Sequence, residues 1–149
     1  MLLENFESAK RLMIGGQALV KLGSNRTTAN TVYLVSMLGM PDFVHDKEAN
    51  IDYCNASGQG IAGKFFAEVW KMEANNIGEL ASPQALLELK AFSFAQHYSN
   101  GRFRKADESE FDIKFLVREF GIKQIKIARK YLSAEELSEV EKVINSVRR

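Results

Sequence analysis

Two places in this chain carry residues whose types and spacing can do chemistry. One is the stretch Ile14 to Val35, IGGQALVKLGSNRTTANTVYLV, in which Gly15-Gly16 follow an apolar run and Gly23-Ser24 precede Arg26 and Thr28. Paired glycines admit positive φ and leave no side chain between the backbone and an approaching group, so a phosphate can lie against them. The other is Lys90, whose helical spacing from Leu86, Leu87 and Phe94 sets an ammonium group among apolar side chains. A lysine so placed must find a partner or give up its charge. Asp52 and a ligand phosphate are two candidates; a stem lying along the core rim with its head in water is the third arrangement.

The elements that must position these residues read as a few strands followed by helices. Leu2, Leu3, Phe6 and Ala9 recur at helical spacing, which predicts a helix over 2–10 leading into a strand at Arg11 to Ile14. A Gly15-Gly16 turn, a short helix from Gln17 to Leu22 and a Gly23-Ser24-Asn25 turn come next. The β-branched and apolar run from Asn30 to Val35 then predicts a strand. Further short strands are expected at Asp42 to His45, Ile51 to Asn55 and Ile77 to Ala81, the second with Asp52 and Tyr53 on opposite faces. Ala56 to Gly60 reads as a flexible connection.

Helices are expected over Ile61 to Asn75, and from the Ser82-Pro83 start to Tyr98. Asp107 and Glu110 have capping-box spacing for a helix closed by Gly121, and Ile122 to Tyr131 reads as another short helix. Ser133 and Glu136 form a second capping box, with Leu137, Val140, Ile144 and Val147 as the apolar stripe of the last helix. Arg102 to Lys105 reads as a solvated basic loop around Phe103, and Lys123, Lys126, Arg129 and Lys130 as the outer face of a helix. This order implies the α+β class, with a small mixed sheet in the N-terminal half flanked by helices and a helical C-terminal half.

A chain of 149 residues can bury a real core. It reads as one domain, with 11–82 as its core and 83–149 as its helical part. A net charge of +1 argues against a protein that coats nucleic acid or acidic membrane by bulk charge, and leaves only local patches for such contacts. Cys54 is the single cysteine, so no internal disulfide forms and a reducing compartment follows. It has no companion at metal-ligand spacing, and His45 and His97 have no readable partner. The start MLLENFESAKR lacks the apolar run of a signal peptide, and no stretch approaches the roughly 18 apolar residues of a membrane span. A cytoplasmic protein is expected.

The ordered set Gly15-Gly16-Gln17-Ala18, Gly23-Ser24 and Arg26-Thr27-Thr28-Ala29 resembles the signature of the nucleotidyltransferase superfamily, in particular its minimal and abortive-infection toxin-type members. Leu80 to Lys90 is similar to that family's helix entry ending in a functional lysine, and Phe111-Asp112-Ile113-Lys114-Phe115-Leu116 to its downstream Asp-Ile-x-x-Leu segment. The likeness covers about Arg11 to Leu116. It implies a nucleotide-binding role for Gly15, Gly16, Gly23, Ser24, Arg26, Thr28 and Asn30, and catalytic positions for Asp52 and Lys90. Where the family places its two metal-binding aspartates this chain has Asn30 and Val32.

An amide offers one neutral oxygen and a competing donor, and valine offers nothing, so no metal ligand set and no cofactor is implied. The resemblance therefore implies a degenerate centre: a pseudoenzyme that keeps a nucleotide or nucleic-acid cleft, or that serves as a scaffold for a protein partner. The alternative it implies is an active toxin-type enzyme, as in toxin-antitoxin pairs, that transfers a nucleotide to RNA or protein with Mg²⁺. Asp52 would then be joined by Asp42, Asp46 or Glu48.

Overall fold

The computed structural model describes residues 9–28 and 30–147, and the helix expected over 2–10 lies almost wholly outside them. The chain divides into two units at the Ser82–Pro83 junction. The first is built on four strands, β1 (Leu12–Ile14), β2 (Thr31–Val35), β3 (Phe43–Asp46) and β4 (Ile51–Asn55), in the order β1-β2-β4-β3. β2 and β4 run parallel while β1 and β3 pair antiparallel at the edges, so the sheet is mixed. With its helical second unit, the chain is of the α+β class.

Strand alternation and register sort the sheet into two faces. Leu12, Ile14, Val32, Leu34 and Asp52 share one face with His45 and Phe43. Helices α1 (Gly15–Lys21) and α2 (Ile61–Met72) serve this unit, and the exposed Phe43 ring meets Phe66 of α2 edge-on at 5.5 Å. The other face carries Val35, Val44 and Tyr53 as a buried cluster.

Three local expectations in this unit change. Gly15 and Gly16 open α1 and do not form a separate turn, and Gly15 takes φ +74° where the chain passes from β1 into the helix. A Cβ on Gly15 would stand 2.9 Å from Val32 Cγ2, so glycine is required there by packing as well as by φ. The helix expected to reach Asn75 ends at Met72, followed by a 3₁₀ turn at Ala74–Asn76. In place of a strand at Ile77 to Ala81, only Leu80 bridges to Met13, flanked by backbone bonds from Met13 N–H to Glu79 and from Ala81 N–H to Met13. Glu73, almost fully buried, anchors this return by accepting from the Ser82 N–H at 2.6 Å and the Ser82 hydroxyl at 2.9 Å.

The second unit holds α3 (Pro83–Ser99), α4 (Phe103–Phe120) and α5 (Ala134–Val147). α3 buries Ala85, Leu86, Leu87, Glu88, Ala91, Phe92, Phe94 and Ala95, positions spread around the helix, which makes it the central element. α4 starts four residues before the Asp107/Glu110 pattern, so Asp107 is an interior helical residue and Phe103 to Lys105 form the first turn, not a loop. Ala106 explains the extension: it is buried, and its N–H bonds to the Arg102 carbonyl at 3.0 Å. Gly121 closes α4 in the left-handed region, φ +65°, as its position implied. The Ser133 box is formed in both directions, Ser133 N–H to Glu136 at 2.8 Å and Glu136 N–H to the Ser133 hydroxyl at 3.1 Å. Among the described residues no helix is long and apolar enough to cross a membrane.

Residues 122–127 are not helical, and only Ala128–Tyr131 forms a 3₁₀ turn. The cause is Glu88, a fully buried carboxylate. Its oxygens accept from the N–H groups of Lys126 at 2.7 Å, Ile127 at 2.9 Å and Ala128 at 2.8 Å, and from the Gln84 amide at 2.8 Å. Those three backbone donors would serve the helix ladder if the segment were helical; here a carboxylate takes them. Ile125 and Ile127 turn inward and Lys123, Lys126, Arg129 and Lys130 stay exposed. Glu88→Ala strands three amide donors at a cost of about 1–3 kcal/mol each, less whatever water recovers. The expected loss, measured by urea denaturation, is therefore at least about 3 kcal/mol; a loss under about 1 kcal/mol would show that the carboxylate does not hold this segment.

Candidate active site on the sheet face

One strip of side chains runs along the end of the sheet face that carries Asp52. At its α1 end, a Cβ added to Gly16 would collide with the Arg26 guanidinium and stand 2.7 Å from the Thr28 hydroxyl. Gly16 is thus the floor on which Arg26 and Thr28 rest. The approach to them is shaped by Gly23, whose φ of +106° turns the chain in a place where a Cβ would meet nothing within 4 Å, and by the buried Ser24, whose hydroxyl accepts the Arg26 N–H at 3.3 Å. Thr28 donates to the Asn30 carbonyl at 3.2 Å and so joins the loop to β2.

At the other end stands Asp52, and both its oxygens are engaged. The Asn30 amide donates to Oδ2, and His45 Nδ1 donates to Oδ1 at 2.6 Å. His45 faces Asp52 across the β3–β4 ladder, while Val32 is the parallel-strand partner of Asp52 and packs on Gly15. The carboxylate is 40% exposed and the imidazole 52%, so both remain reachable from solvent. Gly16, Arg26, Thr28, Asn30 and Asp52 are thus linked by successive contacts into one strip. His45 had no readable partner in the sequence, because only the hairpin register sets it opposite Asp52.

Two of the three other carboxylates weighed with Asp52, namely Asp46 and Asp42, have different employment. Asp46 lies on the opposite face, opposite Ile51, and its carboxylate accepts the Ala49 N–H at 3.2 Å. Asp42 sits in a glycine cradle: its Oδ1 accepts the Gly60 N–H at 3.1 Å, and a Cβ on Gly58, Gly60 or Gly63 would run into its carboxylate. Gly58 to Gly63, Gly-Gln-Gly-Ile-Ala-Gly, follows β4 and opens α2, which is the spacing of a phosphate-binding fingerprint. The expectation of a flexible connection there is overturned, since the chain's own Asp42 fills the place and complements the positive end of the helix. Among the described residues no group of three or more His, Cys, Asp and Glu is arranged to hold a metal ion.

Lys90 belongs to the second unit, and the partner it finds is Asp112, Nζ to Oδ2 at 2.9 Å. The lysine side chain is 16% exposed and the carboxylate 1%, so this is a buried ion pair between α3 and α4. Breaking one side of such a pair leaves an uncompensated charge and typically costs about 3–5 kcal/mol, whereas replacing both by apolar groups is close to neutral. Lys90→Met and Asp112→Leu are each expected to destabilise by about that amount and the double variant by much less. Additive losses in a double-mutant cycle of denaturation energies would refute the pair.

His97, also on α3, is held below the usual histidine range by its burial first and then by Lys105, Arg102 and Lys90, with Glu108 opposing. The unfolded chain therefore binds this proton near pH 6.5 while the folded chain does not. Stability is complete above that value and falls as pH drops below it. Between about pH 7.5 and about pH 5.5 the wild type should lose more stability than His97→Gln; equal losses in urea titrations would contradict the assignment. Comparison with family models, curated proteins and solved structures returns no match to this chain, so the functional reading rests on the side chains of the strip itself.

Proposed function

We propose that this chain is a nucleotidyltransferase-like protein with a degenerate catalytic centre, a pseudoenzyme in which Arg26 and Thr28, resting on Gly16, are the groups that meet the phosphate of a nucleotide. The observation that carries this reading is the occupancy of Asp52. Its two oxygens accept from the Asn30 amide and the His45 imidazole. Two donors at a carboxylate supply locally what a bound cation supplies in a metal site, and an amide in place of a second carboxylate removes the repulsion that a cation would be needed to relieve.

Val32 reinforces the reading, since a hydrocarbon packed on Gly15 contributes no ligand. Asp42 and Asp46, two of the three carboxylates from which an active enzyme would draw a companion for Asp52, are engaged at the start of α2 and on the opposite sheet face. On the phosphate side, Arg26 provides a planar fork of donors suited to phosphate oxygens, and Thr28 a hydroxyl beside it.

Two measurements test the proposal. Nucleoside triphosphate titrated calorimetrically in the presence of a chelator should bind, and Arg26→Ala should weaken it by about tenfold or more, equivalent to about 1.4 kcal/mol. Absence of binding, or binding indifferent to Arg26, would sink the phosphate site. The double variant Asn30→Asp, Val32→Asp places two further carboxylates beside Asp52 and should melt lower than the wild type without metal. Mg²⁺ or Mn²⁺ should restore its melting temperature, because a metal that binds only the folded state stabilises it by mass action. A folded double variant whose melting ignores metal would show that positions 30, 32 and 52 do not converge on one site.

A further inference from the structure

Phe103, in the first turn of α4, is 60% exposed, and it does not stand alone. The Tyr98 ring of α3 meets it nearly at a right angle, 77°, with centroids 6.0 Å apart. Behind Tyr98 the buried Phe94, one helical turn earlier, stacks at 5.9 Å and 26°. The connection between the helices is pinned as well: Gly101 N–H bonds to the Tyr98 carbonyl at 3.2 Å and Arg102 N–H to the His97 carbonyl at 2.8 Å. Two rings fixed at a right angle make two walls of a box.

The box opens on a hollow of about 300 Å³ bounded by α3, α4 and α5, with Ala106, Val143 and Ser146 completing its apolar and neutral lining. Its charged groups are the acids Asp107, Glu110 and Glu139 against Lys114 and Lys142. Both lysines are matched inside the lining, Lys114 to Glu110 at 3.0 Å and Lys142 to Glu139 at 3.1 Å. Asp107 is the acid left over, with no ion pair among the described residues, so the hollow carries a surplus negative charge. Other cations near this start of α4 fall elsewhere: Arg104 and Lys105 stand about 100° and about 200° round the helix from Phe103, whereas Asp107 lies one turn along on the same side.

We propose that this hollow binds a small free alkylammonium ion, a quaternary or methylated amine, its charged head in the corner of Tyr98 and Phe103 with Asp107 beside it. The ring quadrupole attracts a cation to an aromatic face, and a methylated ammonium adds apolar contact with the same rings. An anion finds no unmatched cation in this lining. A neutral apolar guest gains the ring contacts but leaves the surplus carboxylate without a counter-charge. A bare metal ion has no three clustered acid, histidine or cysteine ligands here among the described residues. Walls already set by the Phe94 stack and the pinned connection lose little freedom when the ligand arrives. The proposal stands on the second unit alone and does not depend on the nucleotidyltransferase-like reading of the sheet face.

The test is proton NMR of the full chain titrated with choline, following the ring signals of Tyr98 and Phe103 and the methyl signal of the ligand. Saturable shifts of both are expected. The tert-butyl analogue of choline, with carbon in place of nitrogen, has the same shape and no charge, and should bind at least about tenfold more weakly. Phe103→Leu keeps an apolar side chain but no ring, and should weaken choline binding about fivefold. Asp107→Asn should weaken it about threefold, as for an exposed ion contact. Tyr98→Phe keeps the ring, and Phe120→Leu lies outside the hollow; each should stay within about twofold of wild type.

The proposal is overturned by any of five outcomes: no saturable shift at up to about 100 mM choline, where a Kd of about 10 mM would still show; equal affinity for the uncharged analogue; unchanged affinity in Phe103→Leu; inorganic phosphate or acetate shifting the same ring signals at lower concentration than choline; or a trimethyllysine peptide binding more than about tenfold tighter than choline, which would assign the hollow to a side chain of a partner protein. Circular dichroism of each variant keeps loss of binding distinct from loss of fold. The comparison of choline with its uncharged analogue uses the wild-type chain, so it decides the question whether or not a variant folds.

Discussion

A carboxylate withdrawn from water must be met by donors, and this chain uses that constraint to shape the parts of its backbone that neither helix nor sheet can hold. Glu88 collects the amides of 126–128, Glu73 collects Ser82, and Asp42 collects the loop before α2. In each case the acid sits on one segment and its donors on another, from nine to 40 residues away. Remove the acid and the irregular segment has unsatisfied N–H groups and no ladder to return to. The non-repetitive geometry of both units depends on these few anchors more than on local propensity.

Asp52 obeys the same rule at the sheet face, with a different consequence. Its donors are side chains, Asn30 and His45, and the group remains partly open to solvent. An acid satisfied by its neighbours has little left to offer a cation, while the other end of the strip is basic and hydroxylic, with Arg26 and Thr28 packed on Gly16. In the second unit the anchor has an outward effect: with Glu88 holding the backbone of 126–128, Ile125 and Ile127 turn inward and the cations between and after them stay exposed.

Much of the architecture was legible from residue pattern. Ile51 to Asn55 appears as a strand with the bounds its alternation implied, Ser133 and Glu136 cap α5 reciprocally, and Gly121 ends α4 in the left-handed region. These are local signals: period, a cap three residues long, a glycine after an apolar stripe. They need only a few neighbouring residues to act. The same locality explains why Asp107 misled, since its capping spacing is genuine but Ala106 gains more by joining the buried side of the helix.

What the sequence determined by itself, then, is the division into a strand-rich half and a helical half and the glycine positions where the chain must turn or be approached closely. What only the tertiary structure decided is which side chains meet. His45 reaches Asp52 through hairpin register, Asp42 reaches the Gly58 to Gly63 loop across the turn after β4, and Glu88 reaches Ile127 from 39 residues away. Pairings of that kind carry no periodic trace along the chain. They arise when burial brings unlike segments together, and a polar atom then accepts whichever donor the packing has left beside it.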